Sequence, residues 1–410
     1  ATSLLLLTRS FLPQPSSAAT LATVPPLPFP AGPEAAREAL VSISAWPQYT
    51  PTPLLTLQGM AKKLGCGKLL YKQESERFGL GSFKALGGAY AVQRLLTRLI
   101  TESKGRAPTT ADLFAGKYGA ITETITVCCA TDGNHGKSVA WGASQLGCKS
   151  VIFVHETVTP LRAEAIAALG ATVIRVPGNY DDAVRHAQKE ATTKGWFVVS
   201  DTSYPGYTEI PGWIMQGYSV IGKEARDQMA PVAPTHIFLQ AGVGGFAAAI
   251  MTYFALSAFA ASADGTPPRI IVVEPETAAC LLASSEADAV TAVTGDLETI
   301  MAGLACGEPS EIAWPAIHAL SSAYIAIDDE SVRETMRALA AGEDGDEPVV
   351  AGESGAAGLA GLREIMGQSR LKTALGLSDD SVVLVIGTEG ATDPEMYRQI
   401  VGRDASEIVV

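Results

Sequence analysis

Histidine is scarce in this chain, five in 410 residues, and no two are spaced as a ligand pair. The six cysteines (Cys66, Cys128, Cys129, Cys148, Cys280 and Cys306) contain no Cys-x-x-Cys. Those two absences argue against a metal site and against a disulfide scaffold, and they fit a reducing, cytoplasmic setting. Positive charge is short as well: 30 Lys and Arg stand against 43 Asp and Glu, a net charge of -13. Phosphate backbones and anionic bilayers would be repelled, so small molecules are the expected partners, with no nucleic acid and no membrane. With 18% charged and 47% hydrophobic residues, the chain is composed for a compact fold of two domains.

Long apolar runs are few. Ala241 to Ala263 carries no charge, yet it opens on Gly242-Val243-Gly244-Gly245, which reads as a glycine loop entering a buried helix, not as a bilayer span. Residues 1–33 hold no acid and one base, Arg9. An organelle address through residues 1–30 is the alternative to a cytoplasmic one, but the run Leu4-Leu5-Leu6-Leu7 is short for a signal. Pro13 to Pro33 is expected to be an extended lead-in.

From about residue 66, short β-rich runs alternate with helical patterns, the sequence form of a parallel sheet flanked by helices. Strands are predicted at Lys68–Lys72, Ile125–Ala130, Val151–Val154, Thr172–Val176, Phe197–Ser200, His236–Gln240, Ile270–Glu274 and Val382–Ile386. Ligands of such sheets bind beyond the carboxyl ends of the strands, and that rule selects four clusters.

In the first, Ser82-Phe83-Lys84-Ala85-Leu86-Gly87-Gly88 puts a lysine at the start of an apolar, glycine-rich helix, where a partly desolvated amine is a Schiff-base candidate. The second is Thr131-Asp132-Gly133-Asn134-His135-Gly136, whose amides at a helix start favour an anion such as a carboxylate, while Asn134 can donate to a phenolate oxygen; an ordinary N-cap by Thr131 or Asp132 is the competing reading. The third, Gly242 to Gly245, can wrap a phosphate and is neither a Walker loop nor a dinucleotide fingerprint. In the fourth, Ile386-Gly387-Thr388-Glu389-Gly390, Thr388 offers a neutral hydroxyl to a pyridine nitrogen, though a glycine-flanked threonine is also plain turn chemistry.

Lysine, asparagine loop, glycine loop and threonine, in that order, resemble the fold-type II pyridoxal-phosphate enzymes, the tryptophan synthase β-like group. The resemblance covers about residues 46–396. It implies an α/β fold of two domains, each with a mainly parallel sheet flanked by helices. It makes Lys84 the cofactor lysine and sets Asn134 at the cofactor O3', Gly242, Val243, Gly244 and Gly245 at the phosphate, and Thr388 at the ring nitrogen. Further stretches, Glu76-Arg77-Phe78-Gly79-Leu80, Asn179-Tyr180-Asp181-Asp182, Pro211 to Tyr218, Met301 to Pro309 and Gly352-Glu353-Ser354-Gly355, are similar to the diaminopropionate ammonia-lyase family. Gly81 and His155-Glu156 depart from that family's pattern.

By this resemblance Lys84 is one base and Asp132 a second on the opposite face, so that both enantiomers of 2,3-diaminopropionate could lose ammonia to give pyruvate. Thr131, Asp132 and Gly133 would bind substrate, and Asp201, just past a strand, would neutralise its second amino group unless it is a turn carboxylate. His135 is expected to pack, Lys137 to be solvated, Tyr180 to Asp182 to start a helix, and Cys280 and Cys306 to lie near each other as free thiols. The domains are expected at 46–114 with 216–410 for the larger, cofactor-binding one and 115–215 for the smaller, after an extension of residues 1–45, in a homodimer. Serine or threonine dehydratase, and a non-catalytic cofactor-binding sensor, are the alternatives.

Overall fold

A computed structural model describes residues 9–12, 26–131, 133–156, 158–178, 180–261 and 267–408. Its strands, in chain order, are β1 (Ser10–Phe11), β2 (Leu54–Thr56), β3 (Lys68–Gln73), β4 (Thr126–Ala130), β5 (Lys149–His155) and β6 (Thr172–Val176). They continue with β7 (Phe197–Val198), β8 (His236–Gln240), β9 (Arg269–Pro275), β10 (Ala323–Ile327) and β11 (Val382–Gly387). The eight expected strands are all present, that at 197 being shorter than expected. Three others, β1, β2 and β10, were not foreseen.

The described residues fall into two compact units, one drawn from Ala1–Leu27, Thr52–Ser75 and Ala225–Val410, the other from Pro28–Pro51 and Glu76–Glu224. The first is built on a seven-stranded sheet in the order β1-β10-β9-β8-β11-β3-β2. Its five inner strands run parallel, with β11 between β8 and β3 (Leu384 opposite Ile237 and Leu70), while β1 and β2 pair antiparallel at the edges. Inner strands covered on both faces need continuous apolar runs, and Val383, Leu384, Val385 and Ile386 are fully buried. The helix Glu353–Met366 lies so close to the sheet that a Cβ on Gly361 would meet Val273 Cγ2 at 2.6 Å. The Pro13 to Pro33 stretch was expected as a lead-in: residues 13–25 are outside the described ones, Gly32–Ile43 is a helix, and β1 before it is a sheet edge.

The second unit holds an all-parallel sheet in the order β6-β5-β4-β7. Phe153, Cys128, Val176, Ala183 and Ala187 make its core on one face. The helix Ala85–Lys104, rich in straight-chain and small residues, buries Leu86, Val92, Leu95 and Leu96. Burial of each large side chain contributes about 1.5–3 kcal/mol. This helix packs on Asn134–Leu146, where a Cβ on Gly142 would stand 2.6 Å from Ala89 Cα. That packing groups residues 76–114 with the four-stranded unit, whereas the sequence led to their grouping with residues 216–410. The expected smaller domain of 115–215 is thus wider in the structure, at Glu76–Glu224 with Pro28–Pro51.

Within this unit Arg77 and Glu224 form a bidentate pair, at 2.9 and 2.7 Å, with side chains 1% and 3% exposed. Arg77 opens the turn leading to Lys84, in which Phe78, at φ 55, stacks on Trp141 with centroids 5.0 Å apart. Among the described residues no helix is long and apolar enough to cross a membrane.

Candidate active site

Lys84 caps the helix Ala85–Lys104, and its Nζ lies 2.6 Å from Asp201 Oδ2. The Lys84 side chain is 20% exposed, so the amine is sheltered and still reachable. It lies over the rings of Phe83 (5.3 Å) and Tyr218 (5.8 Å), which face each other with centroids 4.6 Å apart. Gly87 makes room for that arrangement, since a Cβ there would strike the Tyr218 ring and Ile214. Burial pushes the Tyr218 phenol up, with Lys84 pulling the other way, so the hydroxyl stays neutral.

Asp201 follows β7, where Val199 N donates to Cys128 O (2.8 Å) and Ser200 N to the Tyr207 hydroxyl (2.9 Å). Those bonds fix the strand end. Burial raises the Asp201 carboxyl, but the nearby charges of His135 and Lys84 and the Lys84 hydrogen bond outweigh it, and the net shift is downward. His135 is buried as expected, with Nε2 2.8 Å from Val199 O and Nδ1 3.7 Å from Asp201 Oδ2. Thr131 Oγ1 accepts from Gly133 N (3.1 Å) and Gly136 N (3.2 Å), so it shapes the turn into the helix Asn134–Leu146. Asp132 and Asn179 lie outside the described residues. Lys137, expected to be solvated, instead donates to Leu80 O at 2.9 Å, because its helix runs past the turn before Lys84.

In the other unit the glycine loop leaves β8 and enters the helix Gly245–Ala261, which has no acid or base in its first turn. The loop carbonyls are taken up by the chain: Cys280 Sγ donates to Gly242 O (3.7 Å), Ser310 N to Val243 O (2.8 Å) and Ala248 N to Gly244 O (2.9 Å). Gly244 is left-handed, at φ 96, and a Cβ on it would run into Ile317. A Cβ on Gly242 would lie 3.0 Å from Cys306 Sγ. Cys280 and Cys306 thus both flank Gly242, and both are free thiols. Burial holds the Cys280 thiol well above its ordinary range, so it keeps the proton it donates.

Thr388 lies just past β11, buried, with Oγ1 3.0 Å from Gln240 Nε2. Gln240, the last residue of β8, enters the sequence analysis only as the end of a predicted strand. Its signal was a polar side chain ending a buried strand. Glu274, at the same end of β9, is fully buried, and its two oxygens accept from Leu281 N and Leu282 N at 2.8 Å each, which anchors the helix Cys280–Ala287. Burial outweighs those two bonds and pushes the Glu274 carboxyl up to about 8. Among the described residues no group of three or more His, Cys, Asp or Glu could hold a metal ion.

Two mainly parallel sheets, a sheltered lysine at a helix start and a glycine loop before an uncharged helix mark a class of enzyme built around pyridoxal phosphate. Residues 45–389 match the family of pyridoxal-phosphate dependent enzymes, and the chain belongs to that family. It is 44% identical over 387 residues to the diaminopropionate ammonia-lyase of Salmonella typhimurium, covering 90% of this chain and 92% of the relative. Its fold is similar to the crystal structure of holo diaminopropionate ammonia lyase from Escherichia coli, with a TM-score of 0.85, 36% identity and coverage of 96% and 97% of the two chains. The Escherichia coli enzyme in complex with an aminoacrylate-PLP azomethine reaction intermediate is similar too, with a TM-score of 0.83, 36% identity and coverage of 97% and 98%.

Proposed function

We propose that this chain eliminates ammonia from 2,3-diaminopropionate, giving pyruvate and two molecules of ammonia, with pyridoxal phosphate carried on Lys84. The observation that carries the site is the 2.6 Å pair of Lys84 Nζ and Asp201 in a sheltered, apolar-walled corner. The 44% identity to an ammonia-lyase of nearly the same length supports the substrate.

The residues fit the cofactor. The loop carbonyls of Gly242, Val243 and Gly244 are bonded to the chain, so amides of Gly242 to Gly245 are the groups left to meet a phosphate, at the positive end of a helix. Both Gly242 and Gly244 occupy places a Cβ would fill. Asn134 would hold the phenolate oxygen and Thr388 the ring nitrogen. When bound, pyridoxal phosphate supplies an electron sink for negative charge at the substrate Cα.

Lys84 takes the Cα proton from one face and returns protons to leaving groups. Asp201, held ionised by its neighbours, pairs with the Lys84 amine and offers its charge to the substrate's second ammonium. Thr131, with Gly133, shapes the turn that receives the substrate carboxylate. Asp132 is the second base, taking the proton of the opposite enantiomer.

Pyruvate and ammonia release from each enantiomer of 2,3-diaminopropionate and from serine tests the reading. Faster release from serine would make the chain a dehydratase, and no release from any of them would leave a cofactor-binding protein without this activity. For Asp132→Asn, loss of D-isomer turnover with retention of the L-isomer is expected; unchanged D turnover removes Asp132 from the mechanism. A homodimer in the cytoplasm belongs to the same reading, and sedimentation of the purified chain tests the dimer.

A further inference from the structure

Gln240 is 1% exposed, and its amide is set among three oxygens and one glycine, from β11, the turn after it and the helix Glu353–Met366. Its Nε2 lies 2.8 Å from Ile386 O on β11, 3.1 Å from Ser354 O at the start of the helix Glu353–Met366, and 3.0 Å from Thr388 Oγ1. On the other side its Oε1 has no hydrogen-bond partner among the described residues and occupies the space beside Gly358, where a Cβ would stand 2.8 Å from it. Two of the three oxygens around Nε2 are backbone carbonyls, which only accept. The amide orientation is therefore fixed with its NH2 toward them.

An amide nitrogen has no lone pair to offer, so the Thr388 hydroxyl cannot donate to Gln240. Its oxygen can only accept from that side, and its hydrogen must point elsewhere. We infer that Gln240 is a positioning residue that fixes the Thr388 hydroxyl as a hydrogen-bond donor toward the ligand, so that the group it meets must be an acceptor. The inference rests on the proposal that Thr388 meets the cofactor ring nitrogen. Through its bond to Ile386 O the Gln240 side chain also ties the start of the glycine loop to β11, while the next N–H, of Ala241, is bonded to Val273 O on β9 at 2.9 Å.

The test compares two ligands on cofactor-free full-length protein: pyridoxal phosphate and its 1-deaza analogue, in which carbon replaces the ring nitrogen. Binding is followed by quenching of tryptophan fluorescence. The wild-type chain is expected to prefer pyridoxal phosphate by about fivefold or more, the worth of one good hydrogen bond. Gln240→Met and Thr388→Val should each bring the ratio to within about twofold. Structural damage alone would weaken both ligands equally, so an unchanged ratio in Gln240→Met overturns the inference. A wild-type protein that binds both ligands equally also overturns it while leaving the cofactor assignment intact. A wild-type protein that binds neither overturns the cofactor assignment itself. If Gln240→Met loses its cooperative unfolding transition, Gln240→Glu replaces it; its carboxyl oxygen can accept the Thr388 proton, and the same collapse of the ratio is expected.

Discussion

Asp201, partly buried, and Glu274, fully buried, are carboxyl groups at strand ends, one in each unit, and the protein treats them oppositely. Asp201 has the Lys84 ammonium at 2.6 Å and the His135 ring at 3.7 Å, and its carboxyl is held below the ordinary range. Glu274 accepts from two backbone N–H groups, of Leu281 and Leu282, and feels the charge of Arg9, yet is pushed up to about 8. Burial is the largest single cause at both, so the partners decide the sign: a lysine in hydrogen-bond contact, with His135 beside it, overcomes desolvation, and two amide dipoles with the charge of Arg9 do not. The first arrangement gives a standing negative charge paired with a lysine. The second gives a neutral anchor beside a loop suited to hold someone else's charge.

Removing the formal charge should break this contrast most severely. Lys84→Met is expected to lower pyruvate formation by at least about 10³-fold, since both the cofactor amine and a base are lost. Extending the comparison to a third carboxylate, Glu224→Ala leaves Arg77 buried without its bidentate partner and should cost about 3–5 kcal/mol, read from the denaturant midpoint. Asp201→Asn keeps the shape at Lys84 and is expected to lower turnover by about 10²-fold.

Asp201→Asn should also alter the acid limb of stability. The folded Asp201 carboxyl is depressed, so its contribution is present above its ordinary pKa of 3.8 and drains as pH falls below it. In Asp201→Asn that drain is absent, and urea titrations at pH 3 and pH 7 would differ less than in the wild type. Glu274 has the opposite sign. Its folded carboxyl binds a proton more tightly than the unfolded one, so stability from this group is full below 4.5 and is lost as pH rises through about 8. Glu274→Gln should flatten this loss, by about 1 kcal/mol or more between pH 5 and pH 9. An unchanged slope would mean that water or main-chain movement relieves the buried charge.

The parts of this molecule that were legible in the sequence are those with local signals. Lys84 at a helix start, the glycine loop and the apolar strand Val382–Gly387 announce themselves in runs of six or seven residues. The strand β10, Ala-Tyr-Ile-Ala-Ile, is five residues long with two alanines among its β-formers, and its parallel pairing with β9 is what holds it extended. Ser10–Phe11 is a strand through its partner alone. The Lys84 to Asp201 bond joins residues 117 apart, and the Gln240 to Thr388 bond joins residues 148 apart, so no local pattern could reveal either. The bond of Lys137 to Leu80 is hidden from the sequence for the same reason: a turn 57 residues away supplies the acceptor.

The position of β11 has a consequence for biosynthesis. It is hydrogen-bonded to both β3 and β8, so two strands of the larger sheet have no continuous neighbour between them until residues Val382–Gly387 exist. The unit of Pro28–Pro51 with Glu76–Glu224, by contrast, has all four of its strands once residue 198 has been made. A ribosome-bound chain can therefore complete one unit while the edge of β3 away from β2 waits about 310 residues for β11, a separation that makes closure of the larger sheet the slow step of folding. Nascent chains halted before residue 382 would expose the strand edges of β3 and β8, and those edges, not the lysine-bearing unit, are where chaperone capture and misassembly would begin.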